Sequence, residues 1–404
     1  MKILMIAPEP FFEPRGTPFS EYFRIKALTE LGHQIDLATY PVGKDVEMPG
    51  LRIFRSAAFG CKKVRVGPSY MKLFLDFFLF FTVLRLLFKN HYDAIHTHEE
   101  ACFYGAVLSR LWRIPHVYDM HSSLAQQFIN FNVTKSAWIQ RILQFFEKRA
   151  LKSSDAIIAI CPYLGEHVKS SGVDRQVFVI ENTPEADMFS SPQDSSRPSL
   201  REDSRFQGRP VVLYAGTFEH YQGLDLLMES VPKVVKEKPE VLFLLIGGDK
   251  PALEQYGKWS RELGVERNVM LMEKIPVQEV GRYTELAEVL VSPRKSGTNT
   301  PLKIYSYLRS GRPIVATNLV THTQVLNPEI AILTEPNAES FARGILEALE
   351  NPETQRMAER ARRVAEEKYS YNQYVAKTSR LYAYVGSLRK PGQFLNDNAH
   401  ETAF

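Results

Sequence analysis

Residues 292–307 bring three cations, Arg294, Lys295 and Lys303, up to a run of small polar residues, Ser296-Gly297-Thr298-Asn299-Thr300. The segment follows an apolar run at 289–291 and leads into a helical stretch. Thr300 has the side chain of an N-cap and Pro301 that of a first helical residue. A helix N-terminus approached through small residues leaves backbone N–H groups facing a ligand, and the helix dipole favours an anion there. Phosphate binding is the chemistry such a segment offers. An ordinary capped helix with surface cations has the same spacing, so the residues alone leave both readings open.

Histidines form a second set of candidates. His121 stands just beyond the apolar run 116–118, where an imidazole can donate a hydrogen bond or move a proton. A structural histidine at a strand end is the ordinary alternative. His96 and His98 straddle the end of another run, and their spacing of two puts both on one face. A metal pair is conceivable there, but no carboxylate or cysteine stands at ligand spacing along the chain. Glu99 and Glu100 follow directly and read as a solvated helix start. Arg15-Gly16-Thr17 and Gly216-Thr217-Phe218-Glu219-His220 lie in loops after strands, where glycine lets the backbone approach a ligand.

The elements that must hold these residues alternate. Strand-like runs at 2–7, 34–40, 94–97, 116–118, 156–160 and 177–180 are separated by helical stretches such as 20–31, 101–111 and 139–151. Gly32 reads as a helix stop. This alternation predicts an α/β fold, a parallel sheet with helices on both faces. Residues 185–209 are polar and turn-rich and break the pattern. It restarts with runs at 211–214, 241–246, 269–272, 289–291, 314–316 and 331–333, and with helical stretches at 224–236 and 301–308. The expected organisation is two Rossmann-like doubly wound domains, 1–185 and 210–370, joined by a linker at 186–209. A C-terminal helix and loose tail at 371–404 follow, the helix packing back on the first domain. Two such units make a cleft, and ligands of open parallel sheets bind beyond the carboxyl ends of the strands.

Bulk properties narrow the class. At 404 residues the chain exceeds one ordinary core. With 44% hydrophobic and 24% charged residues it is globular, and a net charge of +4 without dense basic runs argues against nucleic acid. Three scattered cysteines, Cys61, Cys102 and Cys161, indicate neither zinc site nor disulfide framework and fit a reducing cytoplasm. The apolar N-terminus lacks a signal-peptide core and reads as a first strand. No G-x-G-x-x-G follows it, and no Walker A motif occurs, which weakens dinucleotide and P-loop readings.

The ordered motifs resemble those of a known family. The P-x-K-x-x-x-Y-L pattern from Pro301 to Leu308, with Ser310-Gly311-Arg312-Pro313 after it, is similar to the donor segment of retaining GT-B glycosyltransferases. The large bacterial polysaccharide and lipid glycosyltransferase group, of family 4 type, is the match. Arg15-Gly16-Thr17, Leu31-Gly32-His33, Ile95-His96-Thr97-His98, Asp119-Met120-His121 and Tyr214-Ala215-Gly216-Thr217 extend the resemblance over most of the chain. It implies a GT-B fold and transfer of a sugar from a nucleotide-sugar donor to a glycan or lipid-linked acceptor, with retention and without metal or cofactor. It implies donor contacts at Gly216, Thr217, Glu219, Arg294, Lys295, Thr298, Asn299, Thr300, Lys303 and Ser306. His121 is the implied catalytic residue facing the sugar, and Arg15, Gly16 and Thr17 the acceptor or phosphate loop.

The departures matter. Where many members have an E-x7-E pair, this chain has Thr298 and Ser306; where they have Arg and Lys in the first loop of the second domain, it has Thr217 and Gln222. Arg294, Lys295 and Lys303 are then expected to carry the diphosphate charge. A catalytically impaired partner subunit and a nucleotide-sugar epimerase are the alternative readings. Residues 70–88 are the most apolar stretch, interrupted by Lys72, Asp76 and Arg85 and preceded by Arg52, Arg55, Lys62, Lys63 and Arg65. Spanning is not expected. A helix buried on the sheet and a helix on an anionic membrane surface both fit, the latter suiting a peripheral protein on the cytoplasmic face.

Overall fold

The computed structural model describes residues 1–12, 16–58, 60–61, 64, 70–123, 136–182 and 199–388. The chain divides into two compact units, Met1–Asn182 with Tyr374–Phe404, and Thr183–Gln373.

In the first unit, β1 (Lys2–Ala7), β2 (Gln34–Thr39), β3 (Leu51–Arg55), β4 (Ala94–His98), β5 (His116–Met120), β6 (Ala156–Ala159) and β7 (Gln176–Val179) form one parallel sheet. Its order is β3-β2-β1-β4-β5-β6-β7. The inner strands are apolar without alternation because helices cover both faces. The connecting helices are α1 (Gly16–Glu30), α2 (Tyr70–Lys89), α3 (Ala101–Trp112), α4 (Ala137–Ser153) and α5 (Pro162–Ser170). In α2, Leu75, Leu79, Val83, Leu86 and Leu87 are buried at helical spacing against Leu4, Ile6 and Ile95 of the sheet. Each such burial contributes about 1.5–3 kcal/mol. Its inner face is core, as the buried-helix reading expects, while Leu73, Phe74, Phe77 and Phe81 are exposed. Among the described residues no helix is long and apolar enough to cross a membrane.

Strand β3 was not anticipated. Arg52 and Arg55, read as part of a basic approach to the helix, lie on this edge strand. Arg52 pairs with Asp36 at 2.6 Å and Arg55 with Asp45 at 2.6 Å, so both charges are already neutralised. Lys62, Lys63 and Arg65 lie outside the described residues.

The second unit contains β8 (Val211–Ala215), β9 (Leu242–Gly248), β10 (Val269–Glu273), β11 (Val289–Ser292), β12 (Ile314–Thr317) and β13 (Ile332–Thr334). They form a parallel sheet in the order β10-β9-β8-β11-β12-β13. Its helices are α6 (Leu224–Glu237), α7 (Lys250–Glu262), α8 (Val277–Leu286), α9 (Leu302–Ser310), α10 (Val320–Thr323), α11 (Ala338–Glu350) and α12 (Glu353–Lys368). Two apolar layers sandwich the sheet, one around Leu213, Leu290 and Ile304, the other around Val212, Val231 and Phe341. The described part of the expected linker, from Ser199 on, joins this unit: Phe206 is fully buried in its core, and Arg201 pairs with Glu288. The last helix, α13 (Tyr371–Ser387), belongs from Tyr374 onward to the first unit, where Arg24 donates to Thr378 Oγ1.

Candidate functional site

Strand order reverses between β8 and β11, the neighbours at the centre of the second sheet. Their carboxyl ends are where an open parallel sheet takes its ligand. Gly216 follows β8, and Pro293-Arg294-Lys295 follow β11, so the loops singled out in the sequence meet at this switch point. Gly223, at φ 73°, lets the two loops touch: a Cβ there would stand 1.9 Å from the Pro293 carbonyl oxygen. Lys295 N–H donates to the Tyr221 carbonyl at 3.2 Å.

Lys303 lies in the first turn of α9. Its Nζ is inaccessible to solvent, has no hydrogen-bond partner among the described residues, and rests 3.7 Å from the centroid of the Tyr214 ring. A Cβ on Gly216 would come within 2.7 Å of that nitrogen, so only glycine leaves the ammonium its place. Burial, then the nearby Arg294 charge, hold Lys303 well below the ordinary lysine range. Arg294 donates through one terminal nitrogen to the Asn299 carbonyl and to Thr321 Oγ1, each at 2.8 Å, and lies over the Tyr221 ring. Its Nε has no partner among the described residues. The hydroxyls of Thr300 and Ser306 are likewise buried and unsatisfied. Two cationic and two neutral polar groups on one loop and helix are thus left for a ligand rich in anionic oxygen.

The N-cap differs from the expectation. Helix α9 begins at Leu302 and its N-cap is Pro301, at φ −62° and ψ 133°. The Pro301 carbonyl accepts from the Ile304 N–H at 2.9 Å and closes the first turn, so Thr300 lies outside the helix. Lys295 is an exception among the expected donor-site cations, because Asp225 binds its Nζ at 2.5 Å. Thr217 and Glu219 are exposed in the loop after β8, where the Tyr214 hydroxyl donates to the Thr217 carbonyl at 2.7 Å. The Thr298 and Asn299 carbonyls face inward, accepting from Gln324 and Thr321.

Residues the sequence reading passed over hold this loop. Ser292 Oγ meets His322 Nε2 at 2.8 Å, and His322 Nδ1 lies 2.9 Å from the Thr317 carbonyl. Thr317 Oγ1 donates to the Arg294 carbonyl at 2.6 Å. Burial pushes His322 down to about 3, so this bracket is neutral. Tyr214 stands in the Tyr214-Ala215-Gly216-Thr217 segment that carries the resemblance, but no role is read for it, and no motif singles out Thr321 or His322.

The first sheet reverses between β1 and β4. His98, at the end of β4, is in register with Asp119 of β5. His96 and His98 stack with ring centroids 4.8 Å apart, and His98 Nδ1 lies 3.0 Å from His121 Nε2. The fold thus supplies the carboxylate that spacing along the chain did not show. His96, His98 and Asp119 offer ligand atoms within 4.8 Å of one another. A tetrahedral ion with bonds of about 2.0–2.2 Å needs ligand atoms roughly 3.4 Å apart. Arg24 Nε stands 3.1 Å from Asp119 Oδ2, so a guanidinium already acts as counter-cation.

Burial opposes the Asp119 charge, but Arg24 and then His121 outweigh it and hold the carboxyl well below the carboxylate range. His96 Nδ1 is 2.7 Å from the Tyr382 hydroxyl of α13. Glu21 of α1 is fully buried and pushed up to about 8, first by burial; Glu9 beside it is raised for the same reason. Glu9, Glu21, Arg24 and Tyr382 were not foreseen. Gly16 and Thr17, expected in a loop, open α1 instead, with Gly16 at φ 46°. Arg15 lies outside the described residues.

Comparison with known proteins follows the same division. The Glycosyltransferase Family 4 profile matches residues 24–183, and the profile for Glycosyl transferases group 1 matches residues 196–364. The chain is similar to the Phosphatidylinositol N-acetylglucosaminyltransferase GPI3 subunit of Saccharomyces cerevisiae, at 23% identity over 282 residues. That match covers 67% of this chain and 58% of the yeast protein's length. Among solved structures, sucrose-phosphate synthase from Thermosynechococcus elongatus superposes with a TM-score of 0.75 at 18% identity. That superposition covers 96% of this chain and all of that one. Anabaena HepE in complex with UDP-glucose gives 0.72 at 16% identity, covering 95% and 99%. At such identities the structures speak for the fold: two parallel-sheet domains of the GT-B type.

Proposed function

The chain belongs to the family 4 glycosyltransferases, and we propose that it moves a sugar from a nucleotide-sugar donor to a glycan or lipid-linked acceptor. The observation that carries this reading is the pair of buried, unsatisfied cationic atoms, Lys303 Nζ and Arg294 Nε, at the switch point of the second sheet. A diphosphate brings the anionic oxygens that complete both. In the reaction the bond from the sugar's anomeric carbon to the diphosphate breaks. The bond to the acceptor oxygen forms on the same face, and the acceptor's hydroxyl proton leaves with the diphosphate. Charge grows on the leaving group, and fixed cations beside a helix end stabilise it without reorganising. With two cations in place the step needs neither a divalent metal nor a cofactor.

Ser306 and Thr300 offer hydroxyls to the donor in place of a carboxylate. Gly216, Thr217, Glu219, Thr298 and Asn299 complete its surroundings, and Lys295 contributes through its backbone and its pair with Asp225. His121 contacts the reacting sugar, and Gly16 and Thr17 belong to the acceptor side. The name of the yeast relative specifies a phosphatidylinositol acceptor, which supports a lipid-linked acceptor for this chain.

The reading places the enzyme on the cytoplasmic face of a membrane. Helices α2, α3 and α4 cover one face of the first sheet, as right-handed crossovers require. Ring contacts join them, Phe88 to Trp112 and Phe103 to Phe146. They expose the large apolar side chains of Leu73, Phe77, Phe81, Phe88, Leu111 and Trp138. Arg85, Lys89, Arg110 and Arg141 are exposed among them. The carboxylates of these helices are turned inward, Asp76 accepting from Tyr40 at 2.6 Å and Glu147 from His167 at 2.7 Å. An apolar surface with only cations exposed suits anionic lipid.

Calorimetric titration with UDP, GDP and ADP tests the donor site. Binding of one of them, lost in Lys303→Ala, supports it. The reading fails if none binds.

A further inference from the structure

We infer that His98 and Asp119 act as positioning residues that keep the proton of His121 on Nε2, so that its Nδ1 is a hydrogen-bond acceptor toward the substrate. The inference rests on the reading of His121 as the residue at the sugar, and it assigns roles to two residues that reading does not use. His98 Nδ1 and His121 Nε2 are 3.0 Å apart, and one proton lies between them. Either ring can carry it. Two features of the surroundings bear on the choice.

The first is Asp119. Its Oδ1 is buried, has no hydrogen-bond partner among the described residues, and lies 3.6 Å from His121 Nε2. A proton on Nε2 relieves this carboxylate oxygen, whereas a lone pair there would face it. The other oxygen, Oδ2, is already bound to Arg24, so the carboxylate stays charged. The second is His98, which is fully buried and, by burial and then the neighbouring His96, held well below the ordinary imidazole range. It is therefore neutral and carries one N–H; when its Nδ1 accepts from His121, that N–H lies on Nε2, which is buried without a hydrogen-bond partner among the described residues. Its own orientation is fixed by stacking on His96, whose Nδ1 meets the Tyr382 hydroxyl. Glu21 Oε1, 3.8 Å from His98 Nδ1, is the other group facing this nitrogen. With Glu21 pushed up to about 8, it is uncharged at neutral pH and does not draw the proton to His98.

This is the arrangement by which a buried carboxylate fixes a catalytic imidazole's tautomer. It assigns His121 the acceptance of a hydrogen bond from a sugar hydroxyl. Donation to that hydroxyl, the other role open to an imidazole there, is excluded while His121 is neutral.

Histidine-labelled full-length chain, read by long-range proton–nitrogen correlation spectra, tests the tautomer directly. The result expected for His121 is a protonated Nε2 and an unprotonated Nδ1; the opposite tautomer overturns the proposal. This readout does not depend on any donor being turned over, so it separates failure of the tautomer from failure of the functional reading. The kinetic arm uses His98→Leu and His98→Asn. His98→Leu is expected to lower kcat by about 10- to 100-fold with little change in KM, the cost typical of losing an outer partner of a functional imidazole. His98→Asn, whose side-chain oxygen can occupy the place of Nδ1, is expected to recover most of that loss. If folded His98→Leu keeps the parent kcat, or if the Asn variant is no better than Leu, His98 does not position His121.

Discussion

Replacing Lys303 with methionine tests the donor site through two effects of opposite sign. Methionine keeps an unbranched apolar stem of similar length and removes the ammonium. In the free protein that ammonium is buried without a hydrogen-bond partner, and only the Tyr214 ring offsets its charge. An unsatisfied buried polar group costs about 1–3 kcal/mol, and a cation over an aromatic ring returns about 0.5–2 kcal/mol. The difference leaves Lys303→Met more stable than the parent by about 1 kcal/mol, or roughly 2–4 °C in melting temperature for a unit of this size. With a diphosphate bound, the ammonium makes a charge-assisted hydrogen bond worth about 1.5–3 kcal/mol, so the variant binds the nucleotide about 10- to 150-fold more weakly. Calorimetric melting with and without nucleotide reads both effects. The pH dependence adds a sign. Lys303 is depressed in the folded state, so the unfolded chain binds more protons and stability of the free protein rises with pH, up to about 10.4. That rise is expected to vanish in Lys303→Met. A variant that melts lower than the parent, or binds nucleotide equally well, would refute the reasoning.

Three further outcomes are expected. Arg24→Met leaves Asp119 as an uncompensated buried charge and should cost about 3–5 kcal/mol in denaturant unfolding. Because Asp119 is held below its ordinary range, this penalty should shrink as the pH falls below about 3.9. Gly223→Ala forces a Cβ against the Pro293 carbonyl at a left-handed position and should destabilise the second unit by roughly 2–5 kcal/mol, measured by urea titration. Phe77→Glu with Phe81→Glu should abolish co-sedimentation with anionic vesicles while leaving nucleotide affinity unchanged; retained sedimentation removes α2 from the membrane surface.

The fold was legible because its signals are local. Apolar runs separated by helical stretches mark almost every strand of both sheets, and Gly32 stops α1 as read, at φ 80°. Strand β3 escaped because Leu-Arg-Ile-Phe-Arg at a sheet edge alternates weakly and carries two arginines that seek Asp36 and Asp45. The donor loop was legible in part. Arg294 and Lys303 announce charge, but that Lys303 Nζ and Arg294 Nε are left without partners among the described residues is a tertiary fact, set by how Tyr214, Tyr221 and Thr321 surround them. The polar network of the first unit was almost illegible. Asp119 reaches His98 through strand register, Arg24 comes from α1, and Tyr382 returns from a helix more than two hundred residues away. Spacing along the chain carries none of these contacts.

The most direct test of the central claim is transfer itself. The purified chain is incubated with a panel of nucleotide-sugars and a lipid extract, and the products are resolved by mass spectrometry. The account predicts that one donor yields free nucleoside diphosphate together with a lipid or glycan heavier by one sugar, and that Lys303→Ala suppresses both. If every donor is returned intact, or if the sugar is altered while still attached to its nucleotide, the account is contradicted.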